Sequence, residues 1–343
     1  MNEFFANLSA AHARHSVFWQ DEASGLRAVL VIDDVTLGPA AGGIRTQPYP
    51  SLQDAILDAA ELAQNMTRKC ALAGLDAGGA KVVVLDHPGL NRKEAFLRLG
   101  ERIEDLGGLF HTGPDLGTGA QDLDTMARAT RYVNRDAGLP EAVARGLVGC
   151  LRACAAARGA DGLTGLKIAI QGCGSIGAAA ASALSELGAK LVLADVQSGR
   201  ANALAEELGA QVCEAEKILH ADVDIVAPCA VGGVLTRTRA EGMRAWALCG
   251  AANNILAEPA VPEMLMQRNI LHVPDAIASA GAVVEGIGRT VMALDDRTHL
   301  LDGLGNTAYE VLMQARDENR TPLAVAEDRA RERLRRARAA RVP

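Results

Sequence analysis

Lys69 and Lys81 stand in the stretch NMTRKCALAGLDAGGAKVVVLD, which is otherwise largely apolar and rich in small residues. Removing water from an ammonium is costly unless a partner compensates it, and lysine is among the residues least often buried. One lysine enters a glycine turn and the other leaves it for a run of valines, so two readings stand. In the first, both stems snorkel and the charges reach solvent. In the second, both face a cleft, where one ammonium holds an anion and the other exchanges protons. Lysine suits the second task near neutral or mildly alkaline pH, because desolvation and a neighbouring cation lower its pKa from about 10.4.

A second stretch with chemistry is KIAIQGCGSIG, residues 167–177. Gly172, Gly174 and Gly177 form G-x-G-x-x-G after a predicted strand and at the start of a predicted helix, with Ser175 and Ile176 opening that helix. The first glycine permits a tight turn, the second lets backbone approach a pyrophosphate, and the third lets helix and strand pack closely. The helix N-terminus presents free N–H groups to the phosphates. The next predicted strand, LVLAD, ends in Asp195, where a carboxylate accepts from ribose hydroxyls and repels the extra phosphate of NADP. The bland alternative is a tight turn plus an Asp capping the following helix. We read the register of strand, turn, helix and acid as a dinucleotide site that prefers NAD, with Arg200 close enough in sequence to matter for NADP.

The elements that must position these residues follow from periodicity. Residues 16–36 read as two strands around a turn at Ala23-Ser24-Gly25, and Ser51 caps an amphipathic helix running to Lys69. The strand AKVVVLD follows, then a helix near 92–107, a short strand LFHT, the turn GPDLGTG and a helix near 119–130. A helix over about 141–158 opens a second region. There KIAI, LVLAD, QVC, DIVAP, WALCG and ILHVPD alternate with helices, the pattern of a parallel doubly wound sheet. The fold class is therefore α/β with two domains separated by a cleft. Residues 1–140 form a substrate-binding domain, completed by C-terminal helices at about 300–343, and residues 141–299 form a Rossmann-like dinucleotide-binding domain.

Composition sets limits on partners. The chain has 343 residues, 49% hydrophobic and 22% charged, enough for two packed cores. Aromatics are 3% and the formal net charge is −7, which argues against a nucleic-acid surface. The arginine-rich stretch 327–341 is interleaved with Glu327, Asp328 and Glu332 and reads as a solvated helix face rather than a site for an acidic partner. Seven scattered cysteines without a C-x-x-C pair fit free thiols in a reducing cytoplasm, with Cys150 and Cys154 as core packing and no metal site. No stretch reaches membrane-spanning length, so no membrane partner is expected.

Seven motifs then occur in order: GPAAGGIR (38–45), MTRK (66–69), GLDAGGAK (74–81), TGPDLGT (112–118), APCAVGGVL (227–235), GAANN (250–254) and PDAIASAGA (274–282). Together they resemble the glutamate/leucine/phenylalanine/valine (amino-acid) dehydrogenase family from about residue 30 to 330, and TGPD and GAANN look most like the phenylalanine enzymes. The resemblance implies that Lys69 holds the substrate α-carboxylate with backbone N–H groups of Gly42 and Gly43. It implies Lys81 as general base, with Asp115 beside it. It implies Asn254 at the substrate and nicotinamide end, Cys229 and Ala230 lining the cofactor site, and Gly113, Val283 and Gly286 in the substrate pocket. The expected reaction is reversible NAD-dependent oxidative deamination of an L-amino acid to a 2-oxo acid and ammonia, by a homo-oligomer.

Several positions depart from that pattern. Ala80 replaces a glycine in GGAK, and a Cβ that limits positive φ predicts a re-aimed Lys81. Ser279 and Ala282 replace an asparagine and a glycine, and Val143 stands where many relatives carry threonine. These departures leave two expectations open: an active dehydrogenase with altered preference, or a dinucleotide-binding protein without turnover that acts as a sensor or assembly partner. Small residues at Ala41, Gly113 and Gly286 point to a roomy apolar pocket for a bulky or aromatic side chain. Glu285 is read as a solvated helix residue, with contact to a polar or cationic substrate as the alternative.

Overall fold

Alternation between strand and helix periods builds two α/β units, described here from a computed structural model that covers residues 5, 8–9, 13, 15–135 and 138–341. The first unit comprises Met1–Ala137, Gly286–Asp295 and Glu332–Pro343. The second comprises Gly138–Glu285 and Asp296–Arg331.

The first unit runs β1 (His15–Asp21), β2 (Leu26–Asp34), β3 (Ala40–Gln47), α1 (Leu52–Leu72), β4 (Gly78–Leu85), α2 (Arg92–Glu104), β5 (Phe110–Pro114) and α3 (Ala120–Met126). The sheet order is β1-β2-β4-β3-β5. The β1–β2 and β2–β4 pairs are antiparallel, and β3 runs parallel to β4 and β5. Successive side chains on β4 face opposite layers. Ala80, Val82 and Val84 join Phe96, Leu99, Ile103 and Met126 under α2 and α3. Val83 joins Ala55, Ile56, Ala59 and Ala63 of α1. Lys81 has the parity of Val83, and on β3 Arg45 has the parity opposite to Ile44, so both turn towards α1.

Ser51 caps α1 by accepting from the Asp54 N–H at 3.2 Å. The approach of α1 to the sheet depends on Gly79, because a Cβ there would lie 2.2 Å from the Thr67 nitrogen and 2.4 Å from the Ala63 oxygen. Helices α2 and α3 end earlier than expected, at Glu104 and Met126. Positive φ at Gly107 (60°) and Gly108 (90°) turns the chain after α2.

In the second unit, α4 (Leu139–Ala157) precedes β6 (Lys167–Gln171), α5 (Ser175–Glu186), β7 (Lys190–Ala194), α6 (Ser198–Leu208), β8 (Gln211–Val212) and β9 (Ile225–Pro228). Then come α7 (Arg237–Gly242), β10 (Ala247–Leu248), α8 (Val261–Gln267), β11 (Leu271–His272), α9 (Asp275–Ala278), α10 (Gly281–Thr290), α11 (Thr298–Asp317) and α12 (Pro322–Arg341), with residues 286–290 of α10 and 332–341 of α12 counted in the first unit. The sheet order is β11-β10-β9-β6-β7-β8, parallel throughout. Strand order reverses between β6 and β9, and such a switch point opens a crevice at the carboxyl ends of the strands.

The C-terminal helices correct the expected assignment of 300–343 to the first domain. Residues 296–331 group with the second unit, and only 332–343 with 286–295 group with the first. The reason is backbone proximity: Gly149 on α4 and Gly305 on α11 lack side chains where the helices cross, and a Cβ on Gly305 would fall 2.9 Å from the Gly149 backbone. Arg333 donates to the Cys70 and Ala71 carbonyls at 3.0 and 2.9 Å and to Asp76 at 3.0 Å. Arg338 pairs with Asp34 and donates to Thr36. The basic stretch is thus partly a clasp on its own unit, not only a solvated face. Among the described residues, no helix is long and apolar enough to cross a membrane.

Candidate active site

Neither lysine snorkels: Lys69 is 8% exposed and Lys81 6%. Lys69 occupies the last turn of α1, where a cation meets the negative end of the helix dipole. Gly74, at φ 76°, then turns the chain into β4. Lys81 is ion-paired with Asp115. Burial, the largest influence, depresses the Lys81 pKa below the ordinary lysine value; Asp115 opposes this and Arg45 adds to it. For Asp115, burial pushes the carboxyl up, but the Lys81 ammonium, its hydrogen bond and the Arg45 guanidinium together hold it below the usual range.

Asp115 is also a turn residue, and the turn fixes it. The Thr118 N–H donates to the Asp115 carbonyl at 2.9 Å, the Thr46 N–H to the Leu116 carbonyl at 2.9 Å, and the Thr46 and Thr118 hydroxyls share a 2.8 Å hydrogen bond. Gly43 lies against this turn, since a Cβ there would fall 2.9 Å from the Asp115 Cβ. Pairing of β3 with β4 skips Gly42 and Gly43, between the Ala41–Gly79 and Ile44–Val82 pairs. The structure therefore brings Gly43, Lys81 and Asp115 together.

Arg45, Asp58 and Tyr49 were not singled out from sequence. Arg45 Nη1 donates to both Asp58 oxygens at 2.9 and 3.2 Å, and its Nε lies 3.4 Å from Asp115 Oδ2. Tyr49 donates to Asp58, and burial with that acceptor pushes its phenol well above the ordinary range. The signal was present in GGIR: strand parity would have set Arg45 on the α1 face.

Ala80 does not bend the backbone. It lies inside β4, outside the positive-φ residues, with its Cβ in the α2 layer. The re-aiming of Lys81 expected from a Cβ that resists positive φ therefore has no basis here. Gly113 and Gly286 converge on Asn134, which sequence reasoning missed; their added Cβ atoms would lie 3.7 Å from its Cβ and 2.5 Å from its Nδ2. Val283 is half-buried on α10. Ala41 is buried and pairs with His111.

In the second unit, Gly172 adopts φ 97°, and a Cβ there would strike the Ala230 Cβ at 2.6 Å. Gly174 is the N-cap of α5 and open around its Cβ direction, ahead of Ser175 and Ile176, the first residues of that helix. A Cβ on Gly177 would fall 1.8 Å from the Gly172 oxygen. These are the tight turn, the open approach and the close packing that a pyrophosphate cradle needs.

Asp195 does not cap α6. Its carboxylate accepts from the Cys173 N–H and the Gln197 N–H, both at 2.8 Å. Burial raises its pKa, but those two N–H groups and Arg200 outweigh that and lower it. Cys229 follows β9, and burial pushes its thiol up to about 11, so it is a packed neutral group.

Asn254 sits at φ 51°, its N–H donating to Asp275 at 2.6 Å. Ser279 donates to Asn253 at 3.1 Å and to the Asp275 carbonyl at 2.7 Å, so the shorter side chain still braces the GAANN loop. Val143 is buried, with the Gly281 backbone packed against it. Glu285 is not a solvated residue: it pairs with Arg297, the two side chains being 18% and 16% exposed. No cluster among the described residues could hold a metal ion.

Fold and site define a chain with a buried lysine paired to a half-buried aspartate in one α/β unit and a dinucleotide-type turn in another. Residues 13–132 match the family described as Glu/Leu/Phe/Val dehydrogenase, dimerisation domain, and residues 194–287 match Glutamate/Leucine/Phenylalanine/Valine dehydrogenase. A leucine dehydrogenase of Geobacillus stearothermophilus is 34% identical, covering 99% of this chain and 96% of the relative. A phenylalanine dehydrogenase of Lysinibacillus sphaericus is 35% identical, covering 80% and 76%. The crystal structure of L-tryptophan dehydrogenase from Nostoc punctiforme superposes with a TM-score of 0.87 at 29% identity, covering 98% of this chain and 99% of that one. The chain belongs to the Glu/Leu/Phe/Val dehydrogenase family.

Proposed function

We propose that this chain catalyses the reversible NAD-dependent oxidative deamination of an apolar, bulky or aromatic L-amino acid. The observation that carries the reading is the buried Lys81 paired with a half-buried Asp115, with a second buried lysine, Lys69, at the end of the helix that precedes its strand. Lys69 holds the α-carboxylate, with the backbone at Gly42 and Gly43. Lys81, its proton loosened by burial, takes a proton from the amino group or from the attacking water. Asp115 steadies the resulting ammonium and passes protons to and from the amine and water. Bound at Gly172–Gly177 with Asp195 at its ribose, the nicotinamide cofactor would accept the hydride leaving Cα. Water then adds to the imine carbon, and collapse of that adduct releases ammonia and the 2-oxo acid.

The two units take separate roles in this reading: the first binds substrate and supplies the base, and the second holds the dinucleotide through Gly172, Gly174, Ser175, Ile176, Gly177, Asp195, Cys229, Ala230 and Asn254. Gly113 and Gly286, which meet at Asn134 in the first unit, bound the side-chain pocket. Because Glu285 already has a cation in Arg297, a cationic substrate gains little from it. The assembly expected is a homo-oligomer, and the seven free thiols fit a reducing cytoplasm.

The test adds NAD and a panel of L-amino acids at mildly alkaline pH and follows NADH absorbance, with NADP and Lys81→Ala as controls. Turnover on phenylalanine, tryptophan or leucine that vanishes in the variant supports the reading. No turnover in either direction, with NAD binding intact by calorimetry, would replace it with a dinucleotide-binding protein lacking turnover.

A further inference from the structure

The Lys81–Asp115 pair does not stand alone. Arg45 reaches Asp115 with Nε at 3.4 Å while its Nη1 grips both oxygens of Asp58 on α1. Asp58 also accepts from Tyr49, so the anchor is held at two points. Arg45 Nε and Asp115 Oδ2 are both shielded from water and meet as charges rather than as an aligned hydrogen bond. The side chains of Arg45, Asp58 and Asp115 are 20%, 24% and 22% exposed, which leaves their charges only partly screened. A planar guanidinium whose Nη1 is shared between both oxygens of one carboxylate has less freedom than a flexible ammonium.

We propose that Arg45, anchored by Asp58 and Tyr49, is a positioning residue that fixes the Asp115 carboxylate against Lys81 and tunes the readiness of Lys81 to lose its proton. This rests on the reading of Lys81 as the base. Lys81 meets charge from several elements: Asp115 after β5, Arg45 on β3 and Asp58 on α1. Also on elements packed against β4 are Lys69 of α1 and Asp33 of β2, the latter accepting from Thr67 at 2.6 Å. Arg45 disfavours a charged Lys81, and Asp58 favours it. Removing Arg45 therefore raises the Lys81 pKa, both directly and by leaving Asp115 less neutralised. Removing the Asp58 charge lowers it. A merely structural role would not produce shifts of opposite sign.

The experiment compares wild type, Arg45→Met, Arg45→Lys and Asp58→Asn by two readouts. One is the acidic limb of the pH–kcat profile for oxidation. The other needs no turnover: the pH dependence of reductive methylation at Lys81, read by peptide mass spectrometry. Arg45→Met is expected to move both midpoints up by about one pH unit, the scale of one charge interaction, and to lower kcat about tenfold or more. Arg45→Lys keeps the charge without the planar guanidinium that reaches Asp58 and Asp115 together, so its midpoint stays near wild type while kcat still falls. Asp58→Asn moves the midpoint down. Identical labelling midpoints in all soluble variants, or shifts of one sign for Arg45→Met and Asp58→Asn, would overturn the inference. Should Arg45→Met fail to fold, the other two variants decide it. If wild type shows no turnover but the variants' labelling midpoints shift as stated, the dehydrogenase reading fails while the coupling of Arg45 and Asp58 to the Lys81 proton stands.

Discussion

Replacing Gly79 with alanine tests how the fold sets the distance between the helix of Lys69 and the strand of Lys81. The added Cβ would lie 2.2 Å from the Thr67 nitrogen, 2.3 Å from its hydroxyl and 2.4 Å from the Ala63 oxygen, against about 3.4 Å for ordinary contact. Two of those atoms are helix backbone, so no rotamer relieves the clash, and α1 must lift by roughly 1 Å (3.4 − 2.2 = 1.2). Overpacking of this kind costs about 1–3 kcal/mol. A shift of ~1 Å between catalytic groups costs up to about a hundredfold in rate. Trp19 lies in the first unit and Trp246 in the second, so a Trp246→Phe background lets Trp19 fluorescence report the first unit alone during urea unfolding. We expect Gly79→Ala to lose at least 1 kcal/mol of that transition and to weaken substrate binding more than NAD binding. Gly174→Ala, which meets nothing within 4 Å, should leave stability unchanged while weakening NAD binding. A Gly79→Ala protein with wild-type unfolding and wild-type kinetics would refute the packing argument.

Four further outcomes follow from named contacts. Lys81 has a depressed folded pKa, so the unfolded chain holds more protons between that value and about 10.4 and wild type gains stability as pH rises through that window; Lys81→Met should lack this slope in urea titrations at several pH values. The Asp115 pKa is also depressed, so its contribution is present above the unfolded value of about 3.9 and lost as pH falls through the folded one. Arg333→Ala removes the donors to Cys70, Ala71 and Asp76. It should destabilise the first unit by about 1–3 kcal/mol and raise KM more than it lowers kcat, since α1 carries Lys69; unchanged KM would contradict the clasp. Asp195→Asn removes the charge opposed to a ribose phosphate while Arg200 remains, and NADP should gain on NAD by tenfold or more in kcat/KM.

Local patterns carried most of the fold. The two hairpin strands, the Ser51 cap, the valine strand and the six-strand parallel region are each written in a few adjacent residues, because a period of two or 3.6 and a capping hydroxyl act over one or two turns. The glycine turn with Asp195 was legible for the same reason: strand, turn and acid lie within 30 residues. The burial of both lysines was posed but not decided, since it depends on what packs over them.

What only tertiary structure decided concerns partners distant in the chain. Sequence supplied Arg45, Asp58 and Asp115 on three elements, but their assembly into one charge array around Lys81 needs β3, β4 and α1 packed together. Ala80 looked like a defect because a motif does not report φ; inside β4 an extended backbone accepts its Cβ. Ser279 looked like a lost amide, yet it braces Asn253. Arg333 looked like solvated charge, and it grips Asp76, 257 residues away along the chain. Residue types and short-range periods determine which groups are available and on which face of an element they stand. Which charges meet, and so which proton is held loosely, is decided by packing between distant segments, where desolvation and Coulomb energy are set by the neighbours a folded chain provides.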